Sequence, residues 1–296
     1  MMLTGMLLRR FGVLDSATAI KLNRIVFYVG VPALCFCTVM NSDFSDLGDA
    51  SVLLLCAGGI VVAFTLLCLL VPRFCASNPR RGALVQAMFR PNEAIFGIPI
   101  AMALYGDSNL ALLSLGVVLS VLLNNFFGVL GLELFHDEKQ SVWTMLRQLA
   151  SNPILIASVA AILLRLLGWQ LPELLFAPIR SFSAMCSPLA FLALGASLSL
   201  GAIQEDRVAI AAAVIVKLLV LPAVMLALAI LLGFRGLPLT VVLVLFAPPT
   251  AVSSFALASA LGADARLAGE IVAVASVASI VTLFLFVFTL KQLGVV

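Results

Sequence analysis

Between two long apolar stretches the chain reads "FRPNEAIFGIP" at residues 89–99. Two prolines, an arginine, a carboxylic acid and a primary amide meet there. At bilayer depth these types can open a helix, bind an anion and carry a proton. Proline lacks an amide hydrogen and its ring collides with the preceding turn, so Pro91 interrupts the helix that contains it. Arg90 and Glu93 are ionisable side chains inside an apolar segment, where each costs about 2.5–3.5 kcal/mol on insertion scales and so lines a cavity or finds a partner. Asn92 can donate to a carboxylate oxygen without adding charge. Glu93 supports two readings: a carboxyl that takes up and releases a coupling proton, or a static ion pair with Arg90.

A second segment, "FAPPTAVSS" at 246–254, repeats the interruption with Pro248 and Pro249. It carries hydroxyls at Thr250, Ser253 and Ser254 but no acid, a poor donor set for sodium. Where a helix breaks, its second half begins with free amides and the positive end of its dipole, which favours an anion. The candidate binding residues are therefore Pro91, Asn92 and Ala94 at the first break and Pro248, Pro249, Thr250 and Ser253 at the second. Asn125 and Tyr28, on neighbouring spans, are further candidates to line the same cavity, although the Asn124–Asn125 pair also suits a bond between helices. Lys217, in "VIVKLLVLP", is the other mid-span charge. It either draws an anion inward or bonds a carbonyl within the bundle. Two ordinary proline kinks are the competing account of both segments.

The elements that must position these residues follow from composition. Of 296 residues, 63% are apolar and only 10% charged, with a mean hydropathy of +1.22. Soluble domains carry about 25% charged residues, so the chain is an integral all-α membrane protein, surrounded by lipid. A net charge of +3 with no basic, aromatic-interleaved run excludes nucleic acid as a partner. The six cysteines and single histidine show no metal or disulfide spacing, and no cofactor is expected. No HExxH, aspartate-rich metal motif or Ser/His pair points to an enzyme. No phosphate-binding loop points to ATP.

Nine segments of spanning character are readable, at about 22–41, 50–72, 82–105, 109–135, 153–169, 173–201, 208–233, 237–261 and 267–291. "MMLTGMLLRR" is too short to span and reads as the end of a truncated first helix or a re-entrant stub. Eleven lysines and arginines fall on one set of alternating connections and four on the other. That bias puts both termini outside and the 136–152 connection in the cytoplasm of a multi-pass inner (plasma) membrane protein. Trp143, Leu146 and Leu149 suggest a short interfacial helix or a packed linker in that connection. Gly58, Gly59, Gly195 and Ala196 read as close-packing points between helices.

The chain also repeats. "LLRRFG" at 7–12 returns as "LLRLLG" at 163–168, and "VPAL" at 31–34 as "SPLA" at 187–190, both offset by 156. "FRP" at 89–91 returns as "FAP" at 246–248 with an offset of 157, which also aligns Asp107 with Asp264. Five spans per copy is an odd number, so the second copy lies inverted in the membrane. Residues 1–135 and 153–296 are then two five-helix repeats joined by a linker at 136–152. Paired interruptions in inverted repeats are the sequence signature of a transporter's midplane site.

The segments "RRFGVLD", "LNRIVFYVGVPAL", "FRPNEAIFGIP", "ALYGD", "NPILIA", "SPLAFLALGASL", "VKLLVLP" and "PPTAVSSFALA", in that order, resemble the auxin efflux carrier family over about residues 7–290. Bacterial members of that family include malonate and malate permeases. The resemblance implies a ten-helix, five-plus-five inverted fold with two crossing broken helices and a secondary carrier of a small organic anion, such as a mono- or dicarboxylate. It implies a substrate carboxylate near Asn92, crossing breaks at Pro91, Pro248 and Pro249, a "G-x-P" at Gly97 and Pro99, and a family-typical base at Lys217. Glu93 departs from the pattern, where a small or hydroxyl residue is expected. Auxin-like efflux and a non-transporting ligand sensor are the alternatives; a proton as coupling ion and a homodimer as assembly stay open.

Overall fold

The computed structural model describes residues 1–41, 50–105, 111–136, 142–169, 171–197 and 204–296. Asp107, aligned above with Asp264, and Lys139, one of the eleven basic residues counted above, lie outside the described residues. The described residues are almost entirely helical: α1 (Met2–Arg10), α2 (Ala17–Met40), α3 (Ala50–Phe74), α4 (Asn78–Phe89), α5 (Ile98–Tyr105), α6 (Ala111–Leu134), α7 (Val142–Ser151), α8 (Pro153–Leu166), α9 (Glu173–Ser197), α10 (Arg207–Leu231), α11 (Gly236–Phe246), α12 (Ser253–Ala260) and α13 (Ala265–Gln292). Six of them, α2, α3, α6, α9, α10 and α13, are long and apolar enough to cross a membrane. Expected spans 82–105 and 237–261 are each split into two short helices, α4 with α5 and α11 with α12. The expected span at 153–169 is the shorter α8, of 14 residues.

Local chemistry sets several ends. Asn152 of "NPILIA" accepts the Ile154 amide at 2.9 Å and Pro153 fills the first turn, so that motif is a helix start. Asp264 caps α13 through the Leu267 amide at 2.9 Å. Asp206 ties the cytoplasm-facing ends of the sequence reading together, accepting Arg80 at 2.6 Å and Arg266 at 3.3 Å.

Three wide π-turns interrupt the ladders, at Val26–Gly30, Glu93–Gly97 and Val216–Val220. Each ends two residues before a proline: Pro32, Pro99 and Pro222. A proline leaves a carbonyl one turn back without its amide and presses its ring against that turn, and widening the turn relieves both. Two of the wide turns carry Glu93 and Lys217, so the prolines fix where the charged side chains emerge.

Two large apolar clusters carry most of the packing. One unites α3, α4, α6, α10, α11 and α13; the other unites α2, α8 and α9 with α12, one face of α6 and Val272 of α13. Short α1 lies along α9, where Gly5 and Gly195 let the backbones touch: a Cβ on Gly195 would sit 2.0 Å from the Met2 carbonyl oxygen. Gly59 packs against Met225 and Phe246. Gly58, expected to be a packing point, faces open space.

Gly97 is where α11 meets the second half of the broken pair α4–α5. A Cβ there would lie 2.6 Å from Val244 Cγ1 and 2.9 Å from its carbonyl oxygen. Gly97→Ala is expected to cost about 1–3 kcal/mol by overpacking, read as a lowered melting temperature of the purified protein. Gly58→Ala serves as the control and should leave it unchanged or slightly raised.

Candidate functional site

The two interruptions cross. Residues 90–92 and 249–251 run antiparallel as a single bridge between Pro91 and Thr250. The Asn92 amide donates to the Pro249 carbonyl at 2.8 Å, and the Ala251 amide donates to the Arg90 carbonyl at 3.2 Å. Each break thereby supplies the other with the partners that its own helix gave up. The missing Pro91 amide would have met the Ala87 carbonyl one turn earlier; the Thr250 hydroxyl donates to that oxygen instead, at 2.7 Å.

Arg90 anchors the crossing to its surroundings. One guanidinium nitrogen donates to Asn125 Oδ1 at 2.8 Å and Ser253 Oγ at 3.3 Å. The other donates to Gln86 Oε1 at 3.3 Å and Ser254 Oγ at 3.5 Å. Gln86 in turn donates to the Ser254 carbonyl at 2.9 Å, and Asn125 donates to Cys35 Sγ at 3.0 Å. Four elements are joined this way: α4, α6, α12 and α2. Gly128 makes the route available, because a Cβ there would lie 2.9 Å from Arg90 Cδ.

The self-neutralising Arg90–Glu93 pair is not formed among the described residues, since Arg90 is engaged elsewhere. Glu93 is buried, with the Ser120 hydroxyl at its carboxyl and Arg90 and Lys217 as its charged neighbours. Lys217 is fully buried and does bond carbonyls of the bundle: its Nζ donates to Phe246 O at 3.1 Å and Phe89 O at 3.4 Å.

Beside the crossing lies a cavity of about 60 Å³. It gathers Arg90, Pro91, Asn92, Glu93, Asn125 and Ser253, all singled out above, together with Asn124 and, from α2, Cys35 and Thr38. The cavity therefore sits where α2 faces the crossing and α6. Pro248, Pro249 and Thr250 are buried in the crossing itself and do not line it. Tyr28 does not line it: the residue, in the wide turn at Val26–Gly30, is 59% exposed and its ring packs edge-on to Phe27. The side chain of Ala94 lies outside what the structure describes.

Polar groups left over decide what the cavity can hold. Arg90 Nε and Asn92 Nδ2 are buried donors without a protein partner, and Asn124 Oδ1 is a buried acceptor without one. Leaving a buried donor unpaired costs about 1–3 kcal/mol, and the two residues that carry these donors, Arg90 and Asn92, both line the cavity. A larger groove of about 700 Å³ runs between α3, α4 and α10. It is walled mostly by leucine, valine, alanine and phenylalanine and holds none of these unpartnered groups.

Sequence reasoning missed Gln86, Cys35, Ser120 and Gly128. Gln86 carried a usable signal, standing four residues before Arg90 and so on the same helix face. Gly128 and Cys35 carried none, since their roles depend on which helix packs opposite.

Comparison with known proteins places residues 1–287 under a family model described as membrane transport protein. An uncharacterized transporter of Methanocaldococcus jannaschii is 25% identical over 298 residues, covering 97% of this chain and 94% of its own. Another, from Methanothermobacter thermautotrophicus, is 25% identical over 292 residues, covering 96% and 93%.

Replacing Arg90 by lysine keeps the charge but removes the planar fork that reaches four acceptors. Arg90→Lys should lose about 1–3 kcal/mol, the cost of buried acceptors left unpaired. An unchanged melting temperature for this variant would contradict the network.

Proposed function

The chain belongs to the membrane transport protein family, the auxin efflux carrier family, and from that premise we propose that it is a secondary carrier of a small organic anion, a mono- or dicarboxylate such as malonate or malate. The observation that carries this reading is that Arg90 and Asn92, each with a buried donor that has no protein partner, both line the cavity at the helix crossing. A carboxylate offers both of them acceptors, and charge-assisted bonds of that kind are the strong ones.

Charge points the same way. Two cations, Arg90 and Lys217, and one carboxyl, Glu93, are buried around the crossing; with all three ionised, one positive charge is left for a guest to neutralise. A volume of about 60 Å³ accommodates a few waters or the head of a small acid, not a large aromatic one. We read it as a closed form that opens when α2 and the crossing separate.

Alternating access is the proposed mode of transport. The part holding the two broken helices moves against the rest, exposing the site to one side and then the other. The five-plus-five inverted repeat, 1–135 and 153–296 about a linker at 136–152, supplies the symmetry for two such states. Two features support it: the split pairs α4–α5 and α11–α12 have matching half-lengths, and their first halves end at Phe89 and Phe246, the offset read from the sequence. Glu93, adjacent to the site and not tied to Arg90, is the proposed carrier of a coupling proton.

Two outcomes are expected in proteoliposomes supplied with labelled malonate, malate and monocarboxylates. Asn92→Ala should keep the wild-type melting temperature, because its amide donor has no protein partner to lose. It should also weaken uptake about 10–100-fold, the value of one hydrogen bond to a charged group. No uptake of any carboxylate by wild-type protein that still binds one would favour a sensor. Separately, Glu93→Gln should abolish the dependence of uptake on a pH gradient while leaving counterflow intact; gradient-driven uptake that survives the change assigns the proton elsewhere.

A further inference from the structure

Lys217 is among the largest fully buried side chains of the described residues and does not line the proposed anion site. Its two acceptors are not arbitrary carbonyls. Phe89 is the last residue of α4 and Phe246 the last residue of α11, so Nζ sits between the C-terminal ends of both first half-helices. Those ends carry orphan carbonyls and the negative poles of two helix dipoles. The buried carboxyl of Glu93 lies beyond ion-pair distance of Nζ but close enough to act on its charge, a third source of negative charge nearby.

Carbonyls at paired half-helix C-termini, with a carboxylate beside them, are the ligand set with which a discontinuous-helix transporter holds a free monovalent cation. Here an ammonium group tethered to α10 occupies that position. The wide turn Val216–Val220 before Pro222 aims it there, and a primary ammonium resembles a small cation in charge and donates in three directions.

We infer that Lys217 is a built-in cation: it replaces a dissociable sodium or similar ion at the crossing, and the crossing is stable without one. The corollary for transport, that no external monovalent cation drives the carrier, rests on the proposed function; the structural claim does not, and stability reads it independently of uptake.

Thermal unfolding of purified full-length protein tests it, in sodium, lithium or potassium chloride against choline chloride at equal ionic strength. Wild-type protein should melt at the same temperature in all four salts. Lys217→Ala removes the ammonium but leaves the three oxygen sources and opens a hole among them. Its melting temperature should fall in choline and recover by about 2–4 °C or more in at least one of the small-cation salts. Lys217→Arg, which keeps a cation, should remain insensitive to the salt. A wild-type protein stabilised by sodium over choline would overturn the inference. So would a Lys217→Ala variant that melts alike in all four salts, or one that folds in none of them. Uptake measurements enter none of these outcomes, so a failed transport assay would count against the proposed function alone.

Discussion

A backbone group that leaves its helix inside a bilayer must find another partner in the protein, because the lipid offers none. This single requirement organises the centre of the molecule. Pro91 and the Pro248–Pro249 pair each break a helix, and neither break is tenable alone. Placed antiparallel, they exchange two amide–carbonyl bonds, and the Thr250 hydroxyl covers the carbonyl that Pro91 orphans. The crossing is a mutual repair, and that explains why the two interruptions occur together.

Repair leaves four half-helix ends pointing at one place, and the charged side chains sort themselves by polarity. Lys217 lies against the two C-terminal ends, where carbonyl oxygens accumulate. Arg90 extends along the other side to Asn125 and the serines that open α12, with Gly128 clearing its path. What remains beside the cavity is donor-rich: Arg90 and Asn92 each keep a buried N–H with no acceptor of its own. The proposed preference for an anion would thus be a residue of how the ends were satisfied, arising from side chains more than from backbone amides. Indeed, the Asn92 and Ala251 amides, which a broken helix might be thought to offer a guest, are already engaged in the crossing.

Much of this was legible in the chain. Hydropathy announced the membrane, and the repeated "FRP" and "FAP" marked both breaks to the residue. Arg90, Asn92, Glu93, Asn125 and Ser253 were identified and do surround one cavity. The carbonyl-bonding reading of Lys217, one of two that the sequence allowed, describes its geometry. Tyr28 lies away from that cavity, in the wide turn before Pro32, and helical periodicity cannot count a residue that a wide turn absorbs. Thr250 was assigned a hydroxyl for a guest, but its acceptor is the carbonyl orphaned by a proline on a different helix, a fact that exists only once the helices cross. Gly128 and Cys35 belong to the same class, meaningful only through what packs against them.

The claim beneath all of this is that residues 90–92 and 249–251 hold each other open. A cryo-electron microscopy map of the full chain in lipid nanodiscs, at a resolution that separates carbonyl oxygens, addresses it most directly. The expected result is an antiparallel pair of extended segments, with Asn92 N–H on the Pro249 carbonyl, Thr250 on the Ala87 carbonyl, and the Lys217 ammonium between Phe89 and Phe246. Helices that run unbroken through Pro91 and Pro248, or breaks that lie apart with Lys217 facing neither end, would contradict the account.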